Sequence, residues 1–399
     1  MADPIVQSNA TSSVIQSVSG KDVDGSDKFI YELISGFPNF SKTKSKDVKA
    51  MPNGNAQTII FDIPRSGLLY MQYLEFELTV ATAGYRYTDA FINWINSVQL
   101  MCNNKSIEEV SPQSIREFMN ASYELPAYEI GALAKTEATT NGAVYRAFVA
   151  LPFSYQKNPK SYLDTTFLDN MTINISMNSF SSVFLTSTLT SCNVYLHSHY
   201  IVLDNDSYKM YREKQFPAGQ PLTFLWENSE MESVITAAAS VTNNVNLTSR
   251  RPVSKTLIKF VNTDATNDAM AVHKVSQAFT SSSAPKTIQF KGNGRVLLEL
   301  DVLSNTIFGN KGTRYDLYAG GVLADNFDGN LCINWDMLED ALMNEYKGAV
   351  SLKNISSPQL VFTSANPTDA NDRIYITHKY LNLVEVDSNN GRLAIVSGN

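Results

Sequence analysis

The chain has 399 residues, of which 43% are hydrophobic and 18% are charged, a composition typical of globular rather than disordered proteins. That length suffices for two or three domains with cores of their own. The net charge is -7, whereas a protein that neutralises nucleic-acid phosphates is normally basic, so we expect no direct nucleic-acid binding.

No segment of the sequence predicts passage into or across a membrane. The start, MADPIVQSNATSSVIQ, lacks the basic and apolar regions of a secretory signal, and the most apolar stretch, Leu68–Ala83, is interrupted by Glu75 and Glu77. The cysteines are few, far apart and surrounded by apolar residues: Cys102, Cys192 and Cys332. We therefore expect buried thiols, no disulfide framework and synthesis in a reducing host cytoplasm.

Residues 1–55 show little periodicity and predict an N-terminal arm. The arm contains one apolar patch, Phe29–Phe37, and a basic cluster of Lys42, Lys44, Lys46 and Lys49. It is either ordered against a partner or a loose solvated terminus, and both interpretations stay open at this point.

From Gln57 onward, β-branched and aromatic residues alternate with polar ones and predict short strands. In the first half, the predicted strands are Thr58–Ile63, Leu68–Val80, Phe91–Met101, Ala143–Phe153, Met171–Met177, Ser182–Leu189 and Asn193–Asp204. In the second half, they are Leu257–Asn262, Thr287–Phe290, Val296–Leu303, Tyr315–Ala319, Pro358–Thr363 and a closing strand from Ile374.

Helices are predicted at three places. One begins after Ser111, which has the side chain of an N-cap and is followed by Pro112. A second, short helix from Asp204 would bridge the two halves, and a third has apolar residues at helical spacing from Trp335 until Gly348.

The closing strands of the two halves resemble each other at a spacing of 180 residues. Tyr195, Tyr200 and Leu203 align with Tyr375, Tyr380 and Leu383. Upstream, Phe167–Ser179 also resembles Ser351–Ser364, at a slightly different offset. A period this long does not suit a solenoid, but it suits two complete β-domains.

The sequence thus predicts an all-β chain of two consecutive eight-stranded sandwiches with a few short helices in the loops, and the resemblance described next implies that each sandwich is a jelly roll. The predicted division is an arm over 1–55, a first sandwich over 56–205, a linker over 206–221, a second sandwich over 222–387 and a tail over 388–399.

This organisation resembles the double jelly-roll major capsid proteins of tailless icosahedral viruses, a lineage that includes adenovirus, large DNA viruses and membrane-containing phages. The resemblance rests on the two strand-rich halves, the paired closing strands and the segment Leu151–Asp164, covers about Gln57–Asp387, and includes no diagnostic short motif.

The resemblance implies a homotrimer with a pseudo-hexagonal footprint that tiles an icosahedral virion. Implied partners are further copies of the chain, minor capsid or vertex proteins and an internal membrane, whose acidic headgroups the lysines of the arm would meet. The family has no catalytic residues to carry over, so we expect no enzymatic activity, cofactor or metal.

The motifs that could support catalysis or metal binding are incomplete in this sequence. His197 and His199 share a strand face, but zinc needs a third ligand, and neither His273 nor His378 has ligands nearby in sequence. The remaining candidates each fail a required position: Ala324–Trp335 as a calcium loop, Lys291–Arg295 and Gly309–Gly312 as phosphate loops, and Glu339 with Asp340 as a catalytic pair.

Two rival functions stay open from the sequence. A carbohydrate- or receptor-binding sandwich, such as a spike or lectin, would cluster exposed aromatic residues on one loop face. A glycan-active enzyme on the same scaffold would need two carboxylates facing each other across a cleft.

Overall fold

The computed structural model describes residues 40–51, 55–86, 90–121, 137–156, 162–185, 187–216, 219–232, 235–236, 241–262, 285–301, 330–335, 349–364 and 372–396. The structural statements below concern these residues. The predicted strand Tyr315–Ala319, the helix ending at Gly348, the loop Gly309–Gly312, most of the Ala324–Trp335 loop, His273, and Glu339 with Asp340 lie outside them.

The first half contains twelve strands in its described part. They are β1 (Phe40–Ala50), β2 (Gln57–Asp62), β3 (Leu68–Thr82), β4 (Tyr85–Arg86), β5 (Ile95–Cys102), β6 (Lys105–Val110), β7 (Glu137–Ala138), β8 (Val144–Ala150), β9 (Leu163–Asp164), β10 (Met171–Met177), β11 (Phe184–Leu185) and β12 (Thr188–Leu203). Helices α1 (Ala90–Trp94) and α2 (Pro112–Ala121) and a 3₁₀ turn, Ser154–Gln156, lie between them.

Helix α3 (Asn205–Gln215) connects the halves, and eleven further strands are described after it. They are β13 (Leu222–Met231), β14 (Ile235–Thr236), β15 (Thr242–Asn246), β16 (Pro252–Asn262), β17 (Pro285–Gly292), β18 (Arg295–Asp301), β19 (Asn330–Asn334), β20 (Val350–Ser351), β21 (Gln359–Ser364), β22 (Asp372–Val386) and β23 (Leu393–Val396).

Each half is built on two antiparallel sheets with the same connectivity. In the first half the sheet orders are β1-β12-β3-β8 and β2-β10-β5-β6, and in the second they are β13-β22-β16-β19 and β15-β21-β17-β18. The main strands of each half are distributed over its two sheets in the same order, which is the jelly-roll arrangement. The predicted pair of consecutive jelly-roll sandwiches is therefore confirmed.

The two closing strands that resemble each other in sequence occupy the same position in their sheets. Strand β12 lies between β1 and β3, and β22 lies between β13 and β16. Strands β10 and β21, which contain the upstream match, are also equivalent. Their register differs, because Met171 begins β10 whereas the aligned Ile355 lies four residues before β21 begins at Gln359.

Parts of the predicted arm and tail belong to the sheets. Phe40–Ala50 forms β1, which pairs with β12 along its whole length, and Leu393–Val396 forms β23, which pairs with β22. The expectation of an arm up to residue 55 is therefore wrong for β1. Its lysine-rich sequence is that of an edge strand, where charge prevents further pairing. The other domain boundaries stay predictions.

Two predicted strands differ from the observed ones. Phe91–Trp94 belongs to α1, and the strand begins only at Ile95, because three of these four side chains pack into the core from a helical turn. The predicted strand Ser182–Leu189 is interrupted: β11 covers two residues and β12 begins at Thr188. Short apolar runs do not distinguish buried helix from buried strand.

The predicted helices α2 and α3 begin at the expected caps. Ser111 Oγ accepts a hydrogen bond of 3.2 Å from the N–H of Ser114, and Asp204 Oδ1 accepts one of 2.7 Å from the N–H of Ser207. Within the part of the chain that the structure describes, no helix has both the length and the apolar character needed to span a membrane.

Candidate functional site

The two sandwiches meet along a buried seam between β6 of the first and β13 of the second. The hydrophobic core of the first sandwich continues across this seam to side chains of the second: Trp226, Val384, Val386 and Leu393. Trp226 is fully buried and its ring lies 6.4 Å from that of Tyr155. The sandwiches are therefore joined by shared apolar packing, which favours a fixed relative orientation over a hinge.

A polar side chain in the seam forms hydrogen bonds with the backbone of the edge strand β6. Asn228 Oδ1 accepts a hydrogen bond of 2.5 Å from the N–H of Glu109, and its Nδ2 donates one of 3.1 Å to the carbonyl oxygen of Ile107. The amide thus satisfies one donor and one acceptor of a sheet edge, as a neighbouring strand would.

A second polar chain crosses the seam at the 3₁₀ turn. The carboxylate of buried Glu108 accepts hydrogen bonds from the N–H and the hydroxyl of Ser154. Ser154 Oγ accepts a bond of 2.9 Å from the N–H of Glu227, whose carboxylate lies 2.9 Å from Lys379 Nζ. Glu227 and Lys379 thus form an ion pair and Glu108 is hydrogen-bonded, as the burial of charged groups requires.

A charged cluster covers the outward face of the first sheet. Leu74 and Phe76 of β3 point into the core, so the intervening Glu75 points away from it. Glu75 Oε2 lies 2.7 Å from both Lys46 Nζ and His197 Nε2, and Arg146 Nε lies 3.3 Å from Oε1. Burial alone would raise the pKa of Glu75, but Lys46 and His197 lower it below its ordinary value.

The predicted histidine pair lies on this face. His197 stacks on Tyr73 with ring centroids 4.5 Å apart, and His199 packs edge-on against Tyr70. Burial, then the charges of Lys44, His197 and Lys42, lower the pKa of His199. No group of three potential metal ligands occurs among the described residues. The sharing of one face is confirmed, and His197 contacts a buried carboxylate, which the sequence did not suggest.

His378 has an acidic neighbour that sequence spacing concealed. It is fully buried in the second sandwich, with Nε2 3.4 Å from Glu232 Oε1. Burial raises the pKa of Glu232, but His378, Thr248 and the N–H groups of Ser249 and Thr248 lower it to about 2. Glu232 and His378 are 146 positions apart, so only the sheet pairing reveals their contact.

The described thiols are buried, as the sequence predicts. Cys102 and Cys192 are both unpaired and buried, and burial raises the pKa of Cys192 to about 12. Such thiols are unreactive at neutral pH because the thiolate is the nucleophile.

No protein-family model matches the chain, and no curated protein matches it. Solved structures do. The PBCV-1 virus capsid is 15% identical with a TM-score of 0.66, covering 90% of this chain and 97% of that chain. The Faustovirus major capsid protein is 11% identical with a TM-score of 0.63, covering 86% and 90%.

The structure of Sulfolobus Turreted Icosahedral Virus is also similar, at 12% identity and a TM-score of 0.54. The match covers 86% of this chain and 90% of that chain. At such identities the likeness concerns the fold. The chain therefore has the double jelly-roll fold found in these viral capsid chains.

Proposed function

We propose that this chain is the major capsid protein of a tailless icosahedral virus, in which three copies form a pseudo-hexagonal capsomer that tiles the shell. The observation that carries the proposal is the presence of two sandwiches of identical connectivity, fixed side by side by a buried seam. Three such chains present six similar units, which suits six-fold packing around each capsomer. The role is structural, without catalysis.

An exposed apolar stripe on the second sandwich is proposed to contribute to contacts between copies. Leu225 of β13 pairs directly with Leu383 of β22, which pairs with Val396 of β23, so the three side chains share one face. They are 46%, 41% and 37% exposed. Obligate interfaces between subunits are large and apolar, and a second copy would remove this stripe from water.

The proposed location is the virion, after synthesis in the host cytoplasm. Further contacts would join neighbouring capsomers and minor capsid or vertex proteins. Residues 1–39, which lie outside the described part, are proposed to reach such a protein or an internal membrane. Lys46 of the predicted basic cluster lies 2.7 Å from Glu75 in the free chain.

Native mass spectrometry of the purified full-length chain tests the proposal. A stable species of three times the 44.2 kDa chain mass is expected, and electron microscopy of that species should show a hexagonal outline. The proposal would be contradicted if the chain stayed monomeric even at concentrations well above those used for native mass spectrometry and formed no ordered arrays. Deleting residues 1–39 should leave the trimer intact but weaken contact with minor proteins or membrane.

A further inference from the structure

A polar groove lies at the end of the second sandwich. It is bounded by the turn after β15 and by the segment that leads into β21, and its volume is about 720 Å³. Volumes in this range accommodate small organic ligands. The polar side chains that line the groove include the amides of Asn246 and Asn354, the hydroxyls of Ser356 and Ser357, and the cations Arg250 and Lys353.

The side chains that line the groove have a net positive charge, although the hydroxyl of one of them, Ser249, donates a hydrogen bond of 3.1 Å to Glu230 Oε2 outside the lining. Arg250 and Lys353 are both exposed, and no carboxylate lines the groove. Neither cation has a hydrogen bond or an ion pair with another residue that the structure describes. Two cations at one concave site favour an anion, and an arginine binds phosphate oxygens in a bidentate manner.

The aligned segment of the first sandwich differs from that of the second in the charge at one position. In the aligned segments, Leu168 and Leu352 are both buried, and Asp169 stands where Lys353 stands. Asp169 Oδ2 accepts a hydrogen bond of 2.5 Å from Asn103 Nδ2, and its N–H donates one of 3.1 Å to the carbonyl oxygen of Gly391. The second sandwich thus has an exposed lysine where the first has a hydrogen-bonded aspartate.

Four extra residues form one wall of the groove. In the first sandwich, β10 begins at Met171. In the second sandwich, the aligned residue is Ile355, and the four residues Ile355–Pro358 come before β21 begins. The N–H of Ser356 donates a hydrogen bond of 2.8 Å to Asn293 Oδ1, and the N–H of Leu247 donates one of 2.9 Å to the carbonyl oxygen of Pro358.

The backbone of this wall is preorganised. Ser357 has a φ of 49°, which is uncommon for a residue other than glycine and recurs at binding sites. Ile355 lies so close to Gly292 that a Cβ at that glycine would stand 2.2 Å from Ile355 Cγ2. A wall fixed before binding lowers the entropic cost of holding a ligand.

We propose that this groove binds a phosphorylated polyhydroxylated ligand, such as a sugar phosphate or an inositol phosphate. Arg250 and Lys353 bind the phosphate group. The amides of Asn246 and Asn354 and the hydroxyls of Ser356 and Ser357 bind the hydroxyl groups of the ring, for which they supply both donors and acceptors. Asn246 Oδ1 also accepts a hydrogen bond of 2.6 Å from Gln359 Nε2 within the groove. The groove is much larger than a single phosphate ion, which favours a ligand with a polar body.

The test uses the full-length chain with three soluble probes: inositol 1-phosphate, unphosphorylated inositol and inorganic phosphate, measured by isothermal titration calorimetry. Inositol 1-phosphate is expected to bind more tightly than either of the others. In the double variant Arg250→Gln with Lys353→Gln, its affinity should fall by about tenfold or more. Thermal unfolding checks that the variant is folded.

A matched control removes two positive charges elsewhere. Lys49 and Lys209 are exposed, so the double variant Lys49→Gln with Lys209→Gln has the same net charge and should bind like the parent chain. Equal losses in the two double variants would show attraction by net charge and would overturn the proposal. So would inorganic phosphate that binds as tightly as inositol 1-phosphate.

The source of the ligand is distinguished by co-flotation with phosphatidylcholine vesicles that contain or lack phosphatidylinositol 4-phosphate. Binding of the soluble probe without co-flotation indicates a free metabolite, and co-flotation that requires the phosphorylated lipid and Arg250 indicates a headgroup. Absence of both overturns the proposal. The oligomeric state of each sample is recorded separately. A chain that forms trimers but binds no probe contradicts only the groove proposal, and a chain that binds the probe but stays monomeric contradicts only the proposed capsid function.

Discussion

Asn228 and Glu109 belong to different sandwiches, and a hydrogen bond of 2.5 Å joins the side-chain oxygen of the first to the backbone N–H of the second. The Asn228→Ala variant leaves that N–H and the carbonyl of Ile107 without their partners in a buried seam. We expect the free energy of unfolding to fall by about 1–3 kcal/mol, because an unsatisfied buried donor loses its solvation without compensation. Urea denaturation followed by tryptophan fluorescence measures it.

The control for this variant is Asn244→Ala. Asn244 is exposed on β15, and the change should alter the free energy of unfolding by less than about 0.5 kcal/mol. Equal effects of the two substitutions would show that the seam amide is not a specific joint.

The cluster on the first sheet predicts unequal costs for its two sides. Glu75→Gln leaves His197 and Lys46 without their buried anion, and we expect a loss of about 1–3 kcal/mol in the free energy of unfolding. Lys46→Gln should cost less than about 1 kcal/mol, since the lysine side chain is 46% exposed and Arg146 still contacts Glu75. Guanidinium denaturation of both variants compares them, and a more damaging lysine change would contradict this assignment.

Glu232 predicts a pH dependence of stability. Its pKa is lowered from 4.5 to about 2 in the folded chain, so the unfolded chain binds the proton more readily. The stabilisation, on the order of 3 kcal/mol, is fully present above pH 4.5 and is lost as the pH falls from there toward 2. Glu232→Gln should be less stable than the parent chain at neutral pH, and the difference should shrink in acid.

Urea midpoints between pH 2 and 7 test this titration. Glu213→Gln is the matched control, because Glu213 is exposed on α3. A Glu232→Gln variant whose stability parallels that of the parent chain at every pH would rule out the assignment.

The sequence predicts those elements whose signal is local. Strands with one buried face, such as β3 and β10, alternate apolar and polar residues, and α3 begins at a capping aspartate. Strand β12 is recognisable because its inward residues, Val194 and Leu196, recur in β22 as apolar positions. Two strand-rich halves follow from such patterns, whereas the jelly-roll connectivity was implied by the resemblance to a family.

The elements that the sequence did not predict depend on distant contacts. Strand β1 carries lysines at alternate positions and becomes a strand only by pairing with β12, more than 140 residues later. In β13, the consecutive polar residues Glu227, Asn228 and Ser229 are all buried, because the first sandwich covers part of this strand. An alternating pattern cannot appear where both faces of a strand are covered.

The apolar stripe makes the proposed assembly testable at single residues. Leu383 pairs with Leu225 on one side and with Val396 on the other, at the centre of an exposed face. In Leu383→Asp, a copy that covered the stripe would bury an unpaired carboxylate, which disfavours association. We expect the trimer fraction in native mass spectrometry to fall by about tenfold or more at equal concentration, with the monomer still folded.

Val144→Asp introduces the same charge at a side chain that is 63% exposed on β8, outside the stripe, and should assemble like the parent chain. If both variants stay trimeric, contacts between copies lie elsewhere on the chain; if both become monomers, added negative charge rather than the stripe controls assembly.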